Sequence, residues 1–156
     1  MAFAYLKEIT EAAEKENKPF WQIVIEDDMR ERNVSYEQSF ETMRGMYQAM
    51  KEADAAYDPK LRSASGMVGG DGEKLEEFHK KKNRLIGDFL TEVMEKAVKM
   101  GESNACMKRI VAAPTAGSCG VIPAVLLTYE MQKNVSEDKL VEALFVAAGI
   151  GEVIAA

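Results

Sequence analysis

The residues with the most chemical capacity lie in Ala113-Pro114-Thr115-Ala116-Gly117-Ser118-Cys119-Gly120-Val121-Ile122-Pro123. Gly117 and Gly120, three apart, allow a tight turn or a close backbone approach to a ligand. Thr115 and Ser118 bring hydroxyls to the same place. Pro123 suits the first turn of a following helix. The unpaired first amides of such a helix attract an anion, either a phosphate or a small carboxylate. The same pattern also describes a buried turn in which glycine is needed for packing alone. A second stretch, Leu61-Arg62-Ser63-Ala64-Ser65-Gly66-Met67-Val68-Gly69-Gly70-Asp71-Gly72, holds four glycines in seven residues. Its length favours a functional loop. Ser65, Asp71 and a nest of backbone amides could hold an oxyanion there; a plain structural loop is the alternative. Met67 and Val68 in its middle suggest that it packs.

Other candidates carry less. Glu26, Asp27 and Asp28 could bind a metal, but adjacent helical residues point in different directions, which favours a solvated face. His79 sits among Lys80, Lys81 and Lys82 and reads as a surface residue without ligand partners. Cys106 and Cys119 are too few for a disulfide framework. Ten methionines in 156 residues read as soft core packing.

The elements that must position these residues are helical. Phe3, Leu6, Ile9 and Ala13 form one apolar face that ends before Asn17-Lys18-Pro19. A second helix follows from Pro19 to about Glu31. Ser35 and Gln38 make a capping box for a helix striped with Tyr36, Phe40, Met43, Tyr47, Met50 and Tyr57. Asp58-Pro59 breaks it. A short helix spans Lys74 to Lys82, with Leu75 and Phe78 inward. A strong amphipathic helix runs from Leu85 to Met100, with Ile86, Phe89, Leu90, Val93, Met94 and Val98 as its core face. Gly101 would end it, and Ser103 would cap a short turn. Val121 to Gln132 is helical, and Ser136 starts a last helix carrying Leu140, Val141, Leu144, Phe145 and Ala148.

The fold class expected is therefore all-α: one compact multi-helix domain over residues 1–156, with two glycine-rich loops. With 47% apolar and 29% charged residues, the chain can form a core. A formal net charge of −6 argues against a nucleic-acid-binding surface. No run reaches membrane-spanning length and no signal segment is visible, so the expectation is no nucleic acid, no membrane and a cytoplasmic location. The sequence stops at Gly149-Ile150-Gly151-Glu152-Val153-Ile154-Ala155-Ala156, inside an apolar pattern. It reads as truncated, with a partner segment missing and apolar surface left bare on the last helix.

Ser65-Gly66-Met67-Val68-Gly69-Gly70-Asp71 followed by Ala113 to Ala124 resembles the catalytic alpha part of iron–sulfur-dependent L-serine dehydratase. Asn104-Ala105 and Leu144 to Ala156 fit as well. The likeness covers this whole chain but only the N-terminal half of the family's catalytic subunit. It implies a largely helical lyase that degrades L-serine to pyruvate and ammonia, a step that feeds gluconeogenesis. A [4Fe-4S] cluster with one open iron position acts there as Lewis acid on the substrate hydroxyl. The resemblance places Ser65, Gly69, Gly70 and Asp71 in the substrate pocket. It places Thr115, Gly117, Ser118 and Gly120 at the serine carboxylate or facing the cluster. It implies as partners L-serine, the C-terminal half of the alpha chain and, in the two-chain type, a beta chain. Two departures matter. The family's ligating cysteines lie downstream of Ala156, so this chain alone is expected to bind no cluster and to be inactive. Val68 stands where many relatives have threonine. The catalytic base is not identified. A non-catalytic helical remnant or partner-binding fragment is the alternative function, and a phosphate-binding module a third.

Overall fold

The computed structural model describes residues 3–81 and 85–155. Among these, every regular element is helical: α1 (Leu6–Glu16), α2 (Phe20–Arg32), α3 (Tyr36–Ala55), α4 (Asp71–His79), α5 (Asp88–Ala105), a 3-10 turn (Ala116–Ser118), α6 (Val121–Lys133) and α7 (Glu137–Ala155). They form two units, Met1–Met46 with Ser136–Ala156, and Tyr47–Val135.

In the first unit, α1, α2 and α7 pack with the start of α3. Asn17 and Asn33 end α1 and α2 in the left-handed conformation, with φ of 51° and 53°, a geometry asparagine tolerates. The Ser35–Gln38 capping box forms in both directions: the Gln38 amide donates to Ser35 Oγ at 3.2 Å, and the Ser35 amide to Gln38 Oε1 at 2.9 Å. Ile9, Ile23, Val24, Ile25, Phe40, Val141 and Phe145 are the buried core. Each such side chain contributes roughly 1.5–3 kcal/mol when fully buried. A Cβ on Gly149 would lie 2.6 Å from Val24 Cγ2, so α2 and α7 approach too closely for any side chain there. The acidic triplet is not a solvated face. Asp27 is buried, and each carboxylate has a cation: Glu26 with Lys18, Asp27 with Arg30, Asp28 with Arg32. Ile154 at the end of α7 is exposed, as expected for the last helix.

In the second unit, α4 and α6 pack on α5. The sequence pattern mistakes both the end of α5 and its face. The helix continues through Gly101 to Ala105. A Cβ at Gly101 would meet nothing, and one glycine inside a well-packed helix costs only about 1 kcal/mol. Ser103, expected as a cap, is buried within the helix. The buried residues of α5 include Thr91, Glu92, Glu95, Glu102 and Ser103, whereas Leu90 and Met94 are exposed. The buried acids are partnered: Gln132 on α6 donates to Glu92 at 2.8 Å, and Glu95 is met by Lys99 one turn on in the same helix at 2.6 Å and by His79 at the end of α4 at 2.9 Å. His79 is thus a half-buried residue held by Glu95, not a free surface histidine. Lys82, the expected end of α4, lies outside the described residues.

α5 and α6 run antiparallel. Phe89 meets Tyr129 edge-on with centroids 6.5 Å apart. Cys119 and Met100 share a small core with Ala53 and Ile110. Leu90 and Met94 on α5, and Val121, Val125 and Tyr129 on α6, stay exposed along this pair.

Candidate functional site

The last turn of α5 holds both glycine loops. Glu102, 5% exposed, accepts from the Asp71 amide at 2.6 Å and the Gly72 amide at 3.2 Å. It also accepts from the Tyr57 hydroxyl at 2.7 Å. These amides open α4, where an anion is favoured by the unpaired donors and the helix dipole. Burial first, and then the bond to Glu102, hold the Tyr57 phenol well above its usual range. Two residues on, Asn104 Nδ2 donates to the Ala116 carbonyl at 3.0 Å and fixes the 3-10 turn. Residues two apart on a helix point to nearly opposite sides. The loops therefore flank one helix end, and the link between them runs through α5.

The first loop is held from within. The Ser63 amide donates to the Val68 carbonyl at 2.9 Å, and Ser65 Oγ lies 3.1 Å from Ser63 Oγ. Gly69 and Gly70 have φ of 136° and 84°. A Cβ on Gly69 would sit 2.3 Å from the Leu61 carbonyl oxygen. These two glycines answer to backbone geometry. The Asp71 carboxylate faces outward, paired with Lys74 at 2.7 Å, which lowers its pKa. Met67 is 86% exposed and Val68 is also exposed, so the packed loop centre expected from sequence does not form. The loop is closed instead by the Ser63 backbone, whose amide donates to the Val68 carbonyl and whose carbonyl accepts from the Gly66 amide at 2.8 Å.

The second loop is entered through a cis Ala113–Pro114 peptide. Thr115 and Ser118 form a reciprocal box: the Ser118 amide donates to Thr115 Oγ1, and the Thr115 amide to Ser118 Oγ, both at 3.3 Å. Their hydroxyls lie 3.0 Å apart. Thr115, Ala116 and Gly117 are exposed, and Cys119 and Gly120 are buried. Pro123 lies in the first turn of α6. Gly120 is required by packing, because its Cβ would come 2.4 Å from the Ala97 carbonyl oxygen. Gly117 has no such constraint, with the nearest atom, Thr115 Oγ1, at 3.8 Å. The chemistry available here is a short exposed turn leading into a helix N-terminus, bearing two hydroxyls and a glycine with open space.

Sequence reasoning missed Glu102, Tyr57 and the anchoring role of Asn104. A glutamate at the end of an apolar-looking helix carries no periodic signal; only its burial reveals it.

A metal cluster fits poorly. Among the described residues no group of three His, Cys, Asp or Glu is placed to hold a metal ion. Cys119 is buried, and its thiol points to the Met100 carbonyl at 3.9 Å. Burial raises its pKa, which disfavours the thiolate form. Cys106 lies with Glu102 and Gly69 around the gap next to Tyr57. Two thiols so placed do not make the four-thiolate set of a cubane.

A family model described as serine dehydratase alpha chain matches residues 15–156. The probable L-serine dehydratase alpha chain of Bacillus subtilis (strain 168) is 29% identical over 153 residues, which cover 98% of this chain and 51% of that one. The L-serine dehydratase alpha chain of Peptoniphilus asaccharolyticus is 27% identical over 159 residues, covering 95% and 51%. L-serine dehydratase 2 of Escherichia coli (strain K12) is 45% identical over 56 residues, covering 35% and 12%. The chain spans about half the length of these two alpha chains. No solved structure matches it. No helix among the described residues is long and apolar enough to cross a membrane.

Proposed function

Since the chain belongs to the serine dehydratase alpha chain family, we propose that residues 1–156 are the N-terminal portion of the alpha, catalytic, domain of an L-serine dehydratase, and that this portion is not catalytic by itself. Its part is to bind and orient. The Thr115–Gly120 turn, exposed over Thr115 to Gly117, takes the L-serine carboxylate through the amides at the start of α6 and the Thr115 and Ser118 hydroxyls. Ser65 and Asp71 belong to the first loop, which Glu102 holds on the other side of the same helix end. Such donors also steady the negative charge that builds when the α-proton leaves. The [4Fe-4S] centre that would assist loss of the hydroxyl has no ligand set among these residues. On this reading its thiolates, the catalytic base and any beta chain belong to the remainder of the enzyme.

The observation that carries the reading is the attachment of both family loops to one helix turn, with Gly117 left unconstrained by packing. The poor fit to a cluster favours the fragment reading over autonomous catalysis.

A titration of the isotopically labelled chain, followed by amide NMR, tests it. L-serine is expected to shift the amides of residues 115–121 saturably. Inorganic phosphate moving them more strongly would favour a phosphate-binding module. Neither ligand moving them would remove the substrate role and leave a partner-binding fragment.

A further inference from the structure

We propose that Glu102 is a positioning residue that permanently fills the amide nest at the start of α4, so that the Gly69–Gly72 loop reads no ligand anion of its own. Three donors converge on this one buried carboxylate: the Asp71 and Gly72 amides and the Tyr57 hydroxyl, at 2.6, 3.2 and 2.7 Å. The gap beside them, lined by Tyr57, Leu61, Gly69, Glu102, Ser103 and Cys106, is too small for a water molecule. A ligand carboxylate could reach these amides only by expelling Glu102, whose burial and three charge-assisted bonds oppose that.

The consequence is a division of labour between two loops that look alike in sequence. The Gly-Gly-Asp loop is a fixed wall, set at its distance from α5 by an internal carboxylate. The anion that the family's chemistry handles is then left to the Thr115–Gly120 turn, a step that rests on the reading above. Because Asn104 anchors that turn two residues further on, α5 sets the position of both loops. A change at Glu102 moves Asp71 and Tyr57 without touching residues 115–120.

Amide exchange and tyrosine titration on the chain and two variants test this. In the wild type, the Asp71 and Gly72 amides exchange slowly, and the Tyr57 phenol, buried and bonded to Glu102, ionises only above its usual range. Glu102→Gln keeps the shape but weakens the acceptor. Protection of both amides falls about tenfold or more, and Tyr57 ionises more readily. Glu102→Ala empties the nest, and sodium formate, but not sodium chloride, restores protection at those two amides. L-serine leaves both amide signals unmoved in the wild type. The proposal is overturned if the wild-type amides exchange as fast as in Glu102→Gln, or if L-serine shifts them. If Glu102→Ala fails to fold, the nearly isosteric Gln variant decides alone. L-serine failing to move residues 115–121 would sink the proposed function while leaving this result intact.

Discussion

A methyl group added at Gly120 would press on the Ala97 carbonyl at 2.4 Å, whereas one added at Gly117 has 3.8 Å to its nearest neighbour. The two glycines look equivalent in the sequence and do different things. Gly120→Ala is expected to cost about 1–3 kcal/mol through overpacking against backbone. Gly117→Ala is expected to change stability by no more than about 1 kcal/mol, while weakening the response of the turn to L-serine. Urea unfolding and the NMR titration separate the two effects. Equal losses of stability would show that Gly117 is structural. At this scale the sequence revealed which residues have unusual capacity. It did not reveal which glycine serves packing, because Ala97 is a distant residue whose carbonyl meets Gly120 only in the folded chain.

The elements were legible wherever local signals set them. The Ser35–Gln38 box and Pro123 in the first turn of α6 are local chemistry, and they stand as read; α3 instead ends at Ala55, ahead of the expected break at Asp58-Pro59, and leaves Tyr57 beyond the helix. The face of α5 was not legible, because its buried acids are satisfied by partners on α4 and α6 and by Tyr57 beyond α3. Periodicity alone assigned the interior to Leu90 and Met94. The α4–α5 junction also makes a pH prediction. Glu76 bonds Lys80 and Lys99, each at 2.8 Å, and these cations lower its pKa to about 2. A carboxylate depressed in the folded state stabilises above its unfolded pKa, and the effect is lost as pH falls towards the folded value. The difference in urea midpoint between the wild type and Glu76→Gln should therefore narrow from about pH 5 to about pH 2. The effect is small, because Glu76 is 41% exposed and such pairs are worth about 1 kcal/mol or less. A difference constant over that range would show that the pair contributes nothing through charge.

For the molecule as a whole, the all-helical class was visible in the helical spacing of the apolar residues, and the family in the order and spacing of the two glycine motifs. The internal Glu102 carboxylate was not visible, because its three donors meet it only in the folded chain. The central claim is that this portion presents a substrate loop but cannot hold the cluster. Anaerobic reconstitution with ferrous iron and sulfide, followed by desalting and assay of iron, acid-labile sulfide and the cluster's visible absorbance, tests it most directly. The account predicts that only trace iron and sulfide stay with the chain. A stoichiometric [4Fe-4S] cluster retained by residues 1–156 alone would contradict it.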